Sequence, residues 1–463
     1  MNKNKKLSTL SLIMINIIAI DNLRSIPFSG KLGLSLLSYY GLAAILFFIP
    51  TALVATELAT AWPNKGGIYV WIKEALGEFG GFMAIWLQWV YNVIWYPTIL
   101  TFVAANIASI IDPSLATNHI YTWIVITSLF WLCTFANYLG LNLSSSISTI
   151  GATVGTLLPM GIILLLAGIW LIDGNPIAFD IGTDWSTTFA PDFSNNTHLS
   201  FLIMIIFGLI GIEMSAVHAD EVNNPKKSYP KAILYSSIII FITLILTALA
   251  VATVVKANDL SVTMGVAQAF NIFFTKYNIG YITPYMITLI VIGSISSVAT
   301  WIIGPTKGLL VASQDNCLPK WFSKTNAKQV PTNILIFQAI IFTLLSFCYI
   351  FVPNVNGIYE VLSILTTQIA VLAYIMMFAS AVILRKKSPK NADHFRIPGG
   401  VLGLKAITYI GTFTCVLIII TGFIPPPDIQ MAYSSYIALM IAGLVVFIAP
   451  AYVMYKLAKK STQ

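Results

Sequence analysis

Long apolar runs recur from one end of the chain to the other, and they constrain its fold more than any other feature. Each run has about 20 residues or more, the length that an α-helix needs to cross the hydrocarbon core of a bilayer. Turn-forming or charged clusters separate the runs. Charged residues make up only 9% of the chain, too few to cover a water-exposed surface, whereas lipid tails accept apolar side chains all around a helix. The sequence therefore predicts an all-α membrane protein with twelve transmembrane helices.

The predicted spans, numbered one to twelve in chain order, cover residues 8–28, 35–60, 80–111, 120–139, 147–172, 199–221, 230–256, 281–313, 332–353, 357–384, 403–424 and 432–456. Lysine and arginine are distributed unevenly between them. On the side of the N-terminus lie 21 of the 25, while Lys31, Lys256 and Lys276 lie on the other side and Arg24 lies within span one. Because loops rich in these residues are retained in the cytoplasm, we expect both termini to be cytoplasmic.

Two of the predicted spans, five apart in the chain, contain interruptions of the same kind. Span one carries Asp21, Arg24 and Pro27, and proline removes a backbone donor and disfavours helix in the residue before it. Span six carries Gly208 and Gly211, which lower helix propensity. Discontinuous helices in matching halves of a transporter mark a solute site near the bilayer midplane. Their bare N–H and C=O groups suit the two charges of an α-amino acid. Alternatively, these residues only kink packed helices.

A charged side chain within a membrane span costs free energy, so such residues usually form ion pairs or have a function. Glu213 follows the span-six interruption and could hold a substrate ammonium group or a proton, or else form a structural pair with Arg24. Arg24 either orients a substrate carboxylate or fixes the unwound segment. Glu57 lies near the cytoplasmic end of span two, where we expect a structural role. At the cytoplasmic end of span six, His218 and Glu221 form either a pH-responsive gate or a solvated helix end.

Other classes of function lack their sequence signatures. No phosphate-binding loop of the GxxxxGK[ST] type occurs, which argues against a primary pump. An intramembrane hydrolase needs a facing nucleophile and base, but the four histidines lie at span ends or in loops. A sensor would be expected to carry a polar signalling domain, and no segment of this sequence is polar enough to form one. The four cysteines have no metal-ligand spacing. The basic residues form no nucleic-acid-binding pattern. We therefore expect neither an enzyme nor a cofactor.

Four stretches carry a resemblance to a known family: 61–71 after span two, 211–225 in span six, 301–308 in span eight and 395–400 before span eleven. In these the chain resembles the amino acid/polyamine/organocation (APC) superfamily, and within it the bacterial glutamate/GABA antiporter branch. The resemblance implies a LeuT-like five-plus-five inverted repeat in one domain, 1–463. Repeat one would cover about 8–172, repeat two about 199–384 and two accessory helices about 403–456.

The same resemblance implies a site and a function. Alternating access would exchange a small amino-acid-like substrate for a counter-substrate across the lipid bilayer of the bacterial inner membrane, with proton-coupled symport as the alternative. Oligomeric state is not indicated. The substrate-site candidates are Asn22, Leu23, Arg24, Ser25, Gly208, Leu209, Ile210, Gly211, Glu213, Ser297, Trp301 and Tyr374. The proton or gating candidates are Asp21, Glu213, His218 and Glu221.

Four positions depart from the branch: Ser297, Arg24, and Leu209 and Ala370, which stand where the family has tyrosines. The glutamate/GABA exchangers carry a second carboxylate in span eight where this chain has Ser297, and Arg24 replaces a pocket tyrosine of span one. No cytoplasmic C-terminal plug of the kind found in the acid-resistance exchangers is expected after span twelve. The expected substrate is therefore an amino acid or related amine, and glutamate/GABA exchange is doubtful.

Overall fold

The protein was analysed as a computed structural model, which describes residues 7–63, 66–140, 149–179, 181, 184, 188–191, 196–216, 222, 224–352, 354–387, 394–426, 429 and 431–460. The described residues form helices and no strand, apart from a single bridge between Leu7 and Val222. Eleven of the described helices are long and apolar enough to cross a membrane. The prediction of an all-α membrane fold is confirmed.

The long helices correspond to all the predicted spans except span six. They cover Thr9–Gly30, Gly33–Ala61, Glu78–Ile111, His119–Tyr138, Thr149–Ile172, Pro225–Val254, Gly280–Gln314, Thr332–Phe351, Val355–Lys387, Gly400–Thr421 and Tyr433–Lys460. Span six contributes a shorter helix, Asn196–Gly208, because its chain leaves helical geometry at Gly208. Twelve spans result when this interrupted one is included. The boundaries of the two predicted repeats stay a prediction.

Two helices lie where the sequence suggested only loops. Ile68–Leu76 connects spans two and three, and Gly265–Lys276 connects spans seven and eight. Both are too short to cross a bilayer, so a search for long apolar runs misses them. Each has one apolar face that packs against the spans; on Ile68–Leu76 this face includes the buried Tyr69 and Trp71. Such a one-sided pattern is typical of a helix lying on the surface of a bundle.

Spans three and ten form the centre of the bundle. They pack against each other along their length, and most residues of both are buried. Span twelve lies at the periphery, where only 11% of its most apolar stretch is buried. An outer helix of this kind faces lipid, while the central helices form the interior of the bundle.

Ion pairs join the span ends on the predicted cytoplasmic side. Arg385 at the end of span ten makes a two-pronged pair with Glu57 of span two, and the Ile397 N–H donates to the same carboxylate at 2.8 Å. Both charged side chains of this pair are buried, at 8% and 4% exposure. Paired, hydrogen-bonded charges are the tolerable form of buried ions. Glu57 therefore has the structural role expected for it.

A second pair, half-exposed, closes the gap between the Ile68–Leu76 helix and the end of span eight. Lys73 Nζ lies 2.6 Å from Asp315 Oδ2, and the Tyr69 hydroxyl donates to the same oxygen. Partial burial opposes ionisation of Asp315, but the hydrogen bonds from Lys73 and Tyr69 outweigh it and lower the pKa of this carboxyl. The same hydrogen bond raises the pKa of Lys73. Asp315 and Lys73 are therefore both charged near neutral pH.

Candidate functional site

Span one is interrupted where the sequence predicted it. Its first helix ends at Ile20, Asp21 and Asn22 are extended, and a 3-10 turn at Leu23–Ser25 leads into the second helix, Ile26–Gly30. Pro27 occupies the first turn of this second helix, where its missing N–H costs nothing. The interruption leaves the backbone N–H groups of Leu23 and Arg24 without a described acceptor.

Span six is interrupted at a glycine that its surroundings require. After Gly208 the chain forms turns through 209–213 and a short 3-10 segment at 214–216. Gly211 has φ +123°, a conformation that other residues rarely adopt. A Cβ at this position would lie 3.2 Å from the indole ring of Trp301. The break therefore depends on glycine both for backbone geometry and for space beside span eight.

The two breaks face each other across a small cavity. A Cβ on Gly208 would lie 3.2 Å from the Cβ of Ser25, so the unwound segments are in contact. Beside this contact is a cavity of 20 Å³. Its walls come from spans one, three, six, eight and ten, and include Asn22, Arg24, Asn92, Gly208, Ile210 and Trp301. This volume holds roughly one water molecule, which is too little for a larger solute.

Three backbone carbonyls of the cavity residues are unpaired. Ala19, Gly208 and Ile210 line the cavity, and among the described residues nothing donates to their C=O groups. Neighbouring carbonyls are occupied: the Ser297 hydroxyl donates to Ile18 O at 3.3 Å, and Asn22 Nδ2 donates to Ile20 O at 2.9 Å. Buried carbonyls are normally satisfied. The three unpaired carbonyls therefore belong to residues beside the cavity, where a cationic group of a solute could be bound.

Arg24 is buried without a carboxylate partner. Its side chain lines the cavity, its guanidinium carbon lies 4.3 Å from the centre of the Phe207 ring, and Nη1 lies 3.5 Å from the Tyr359 hydroxyl. Its Nε donates to nothing among the described residues, and no described carboxylate lies within 4.0 Å. The alternative prediction of an Arg24–Glu213 pair is not observed. A buried guanidinium held by aromatic groups alone retains donors for an anionic ligand.

Glu213 is tied to the break through Tyr374. The Tyr374 hydroxyl donates to Glu213 Oε2 at 2.6 Å and accepts a hydrogen bond from the Gly211 N–H at 3.1 Å. One hydroxyl of span ten thus holds both the unwound backbone and the buried carboxylate of span six. Glu213 does not line the cavity but lies one step behind it.

The remaining predicted residues fall into three groups. Leu23, Ser25, Leu209 and Ser297 are buried around the breaks without lining the cavity. Asp21 is buried on the far side of span one, where it contacts Thr243 of span seven. His218 and Glu221 lie outside the described residues, so their predicted gating role stays a prediction.

The resemblance placed span three beside the site, but sequence reasoning named none of its residues. Tyr91, Asn92 and Trp95 all line the cavity, as does Thr366 of span ten. The signal available was the pair of amides Gln88 and Asn92, spaced four residues apart in an otherwise apolar span. Polar residues at that spacing share one helix face and, in a membrane, usually face the protein interior.

A second and much larger cavity does not suit a charged solute. Its volume is 950 Å³, and it lies between spans three, nine, ten and twelve. The lining is almost entirely apolar, with residues such as Phe337, Leu362, Met440 and Phe447. Placing a zwitterion there would leave its charges unsatisfied. The cavity between the breaks is therefore the candidate site despite its smaller volume.

A polytopic helical bundle with two facing interrupted spans and a polar cavity between them is the architecture of a membrane transporter. A family model described as "Amino acid permease" matches residues 7–447. The chain belongs to this amino acid permease family, within the APC superfamily, as its sequence suggested.

Relatives of similar length agree with this membership. An uncharacterized transporter of Legionella pneumophila is 48% identical over 97% of this chain and 96% of its own length. A glutamate/gamma-aminobutyrate antiporter of Lactococcus lactis strain IL1403 is 29% identical over 98% of this chain and 91% of its own. A probable agmatine/putrescine antiporter of the same strain is 23% identical over 96% of this chain and 94% of its own length. The protein is therefore a multi-pass membrane transporter and not an enzyme.

Proposed function

We propose that this protein exchanges small amino acids or related amines across the bacterial inner membrane by alternating access. The observation that carries the proposal is the pair of facing breaks, whose cavity is lined by residues with unpaired carbonyls and by a guanidinium without a carboxylate partner. The names of the antiporter relatives favour exchange over the other modes of transport. Among transporters of this architecture, solutes bind where such breaks meet.

Each end of a zwitterion has a matching set of groups. The substrate carboxylate is bound by Arg24 and by the backbone N–H groups of Leu23 and Arg24, at the positive end of the second half-helix. The ammonium group is bound by the carbonyls of Ala19, Gly208 and Ile210. Glu213, behind the break, adds negative potential on the same side. Phe207 and Trp301 supply an apolar wall for the substrate side chain.

Admission of a substrate requires movement. The cavity of 20 Å³ is too small for any amino acid, so spans one and six must separate from spans three, eight and ten on one side of the membrane at a time. With both termini in the cytoplasm, Arg24 lies on the outer side of the break and Asp21 on the inner side. Labelling of introduced cysteines tests this orientation: Lys31→Cys should react from outside, and Lys324→Cys only after permeabilisation.

The experiment that tests the function is counterflow in proteoliposomes. Vesicles loaded with each member of a panel of amino acids and decarboxylated amines are diluted into the same labelled compound, and accumulation is measured. We expect accumulation of at least one amino acid that depends on internal amino acid. No counterflow with any member of the panel, from protein shown to be folded, would refute amino-acid exchange.

Two variants assign the site. Arg24→Met keeps an unbranched side chain but removes the guanidinium. Transport of amino acids should therefore fall far more than transport of amines that lack a carboxylate, because the lost donors would bind only the carboxylate. Glu213→Gln should abolish or reshape transport. Lys405→Met, at an exposed position of span eleven, is the control and should leave transport of both amino acids and amines unchanged. Equal loss for amino acids and amines in Arg24→Met would contradict the assigned role of Arg24.

Proton-coupled symport is the second candidate function. The observation that favours it is a buried carboxyl group outside the substrate cavity, Asp21, which has no basic partner among the described residues. Uptake into vesicles without internal amino acid, driven by a pH gradient, would distinguish symport from exchange.

A further inference from the structure

Asp21 is a buried carboxyl group with half of its hydrogen-bonding capacity unused. Asp21 is only 1% exposed to solvent. Oδ2 accepts a hydrogen bond from the Thr243 hydroxyl at 2.7 Å, while Oδ1 has no partner. Of the described lysine and arginine side chains, none lies within 4.0 Å of it. A single hydroxyl is a poor substitute for the hydration that an ionised carboxylate loses on burial.

Two other buried carboxylates show what a stable arrangement requires. Glu57 has a two-pronged pair with Arg385 and a backbone N–H from Ile397. Glu213 accepts a short hydrogen bond from Tyr374 beside the break. The unpartnered Oδ1 of Asp21 leaves room for an incoming cation, whereas the carboxylate of Glu57 is already occupied by its partners.

The position of Asp21 in the backbone also disfavours a bare negative charge. Asp21 is the C-terminal cap of the helix Thr9–Ile20, and its N–H donates to Ile17 O at 2.7 Å. The C-terminal end of a helix carries a partial negative charge. Arg24, three residues further on, is held by Phe207 and Tyr359 and makes no pair with Asp21. Both the helix end and the burial therefore favour the uncharged, proton-bearing carboxyl.

Polar side chains lie on both sides of Asp21 along the interface of spans one and seven. Ser236, Thr243 and Thr247 follow one face of span seven, and Asn16 Nδ2 of span one donates to the Ser236 hydroxyl at 3.1 Å. The Oδ1 of Asn16 and the hydroxyl of Thr247 have no hydrogen-bond partner among the described residues. The titratable group facing Asp21 from span two is Tyr40, whose hydroxyl is bonded to Ser29. The interface of spans one and seven thus carries polar groups on the cytoplasmic side of Asp21, at Asn16 and Ser236, and on its outer side, at Thr247, and none of them lines the substrate cavity.

We propose that Asp21 binds and releases the coupling proton of the transport cycle, at a site between spans one and seven that is separate from the substrate cavity. The proposal rests on the proposed function. A hydronium ion on one side of the membrane gives its proton to Oδ1 and leaves as water, and the neutral carboxyl allows the first half of span one to close on span seven. When spans one and seven separate toward the other side, the O–H bond breaks, the proton passes to a water molecule there, and the hydrated carboxylate remains.

The test uses proteoliposomes containing a pH-sensitive dye, with a substrate found by counterflow. Wild-type protein should move protons together with substrate, and its transport rate should depend on pH. Asp21→Asn imitates the protonated carboxyl, so its exchange should become independent of pH and its substrate-linked proton movement should disappear. Thr243→Val removes the hydroxyl partner and should displace the midpoint of the pH profile. Asp112→Asn, an exposed carboxylate outside the membrane, is the matched control and should retain the wild-type profile.

Each outcome has a distinct meaning. Proton movement and pH dependence that persist in Asp21→Asn would overturn the proposal, as would wild-type exchange without any proton movement. Uptake driven by a sodium gradient and lost in Asp21→Asn would also overturn it, in favour of a metal-cation site. Absence of counterflow in the wild type would instead refute the proposed function. Substrate-induced thermal stabilisation of the purified Asp21→Asn protein confirms that a loss of proton coupling is not a loss of folding.

Discussion

The hydroxyl of Tyr374 is the point at which the structure makes its sharpest prediction. It donates to Glu213 at 2.6 Å and accepts from the Gly211 N–H at 3.1 Å, and so holds the break of span six against span ten. Tyr374→Phe removes this one oxygen and keeps the ring, which packs edge-on against Phe47 with centroids 5.4 Å apart. The substitution therefore tests the two hydrogen bonds with little change in packing.

The expected cost follows from those two bonds. A hydrogen bond to a charged group contributes about 1.5–3 kcal/mol and a neutral one about 0.5–1.5 kcal/mol. Loss of both, with Gly211 N–H and Glu213 left buried and unsatisfied, gives an expected destabilisation of about 2–4 kcal/mol. Since span six must be held in its broken form for the substrate to bind, transport should fall together with stability.

Unfolding of the detergent-solubilised protein measures the stability, and counterflow measures the activity. Glu213→Met is the partner variant, because it removes the carboxylate that accepts from Tyr374. In a double-mutant cycle, the two substitutions should be strongly non-additive if the bond is real. Unfolding of Tyr374→Phe at the wild-type midpoint, or additive effects in the cycle, would refute the role assigned to this hydroxyl.

Two further predictions concern other parts of the molecule. Gly211→Ala should destabilise the protein by roughly 1–3 kcal/mol, because of the φ of +123° and the contact with Trp301, and it should abolish transport. Gly161→Ala in span five is the control, where an added Cβ meets nothing within 4 Å, and it should have no harmful effect. Equal transport by the two variants would contradict a required break. Asp315→Asn should destabilise by at most about 1 kcal/mol, because both partners of the Lys73 pair are partly exposed. The pKa of Asp315 is lowered from 3.8, so its contribution to the free energy of unfolding is present above that value and is lost as the pH falls through its folded-state pKa. The difference in melting temperature between Asp315→Asn and the wild type should therefore stay constant from neutral to mildly acidic pH and disappear only in strong acid.

The sequence predicts local features of this fold well because their causes are local. Eleven spans follow from runs of apolar residues, and the breaks follow from Pro27, Gly208 and Gly211. Contacts that complete the site are of another kind. Tyr374 is 161 residues from Glu213, and Ser297 is 279 residues from the Ile18 carbonyl it satisfies. No periodicity or spacing indicates such partners, because they are set by how spans eight and ten pack against the broken ones.

The arrangement of the buried charges argues that they serve transport and not only stability. A bundle stabilised by ion pairs would bring opposite charges together, as Glu57 and Arg385 do at the end of span ten. Around the breaks, by contrast, each ionisable group is held by uncharged ones: Asp21 by Thr243, Glu213 by Tyr374 and Arg24 by aromatic rings. An unpaired buried charge is costly, and here the opposite charges were available a few residues away. Keeping them apart leaves each one able to bind and release a mobile charge, which a permanent ion pair cannot do.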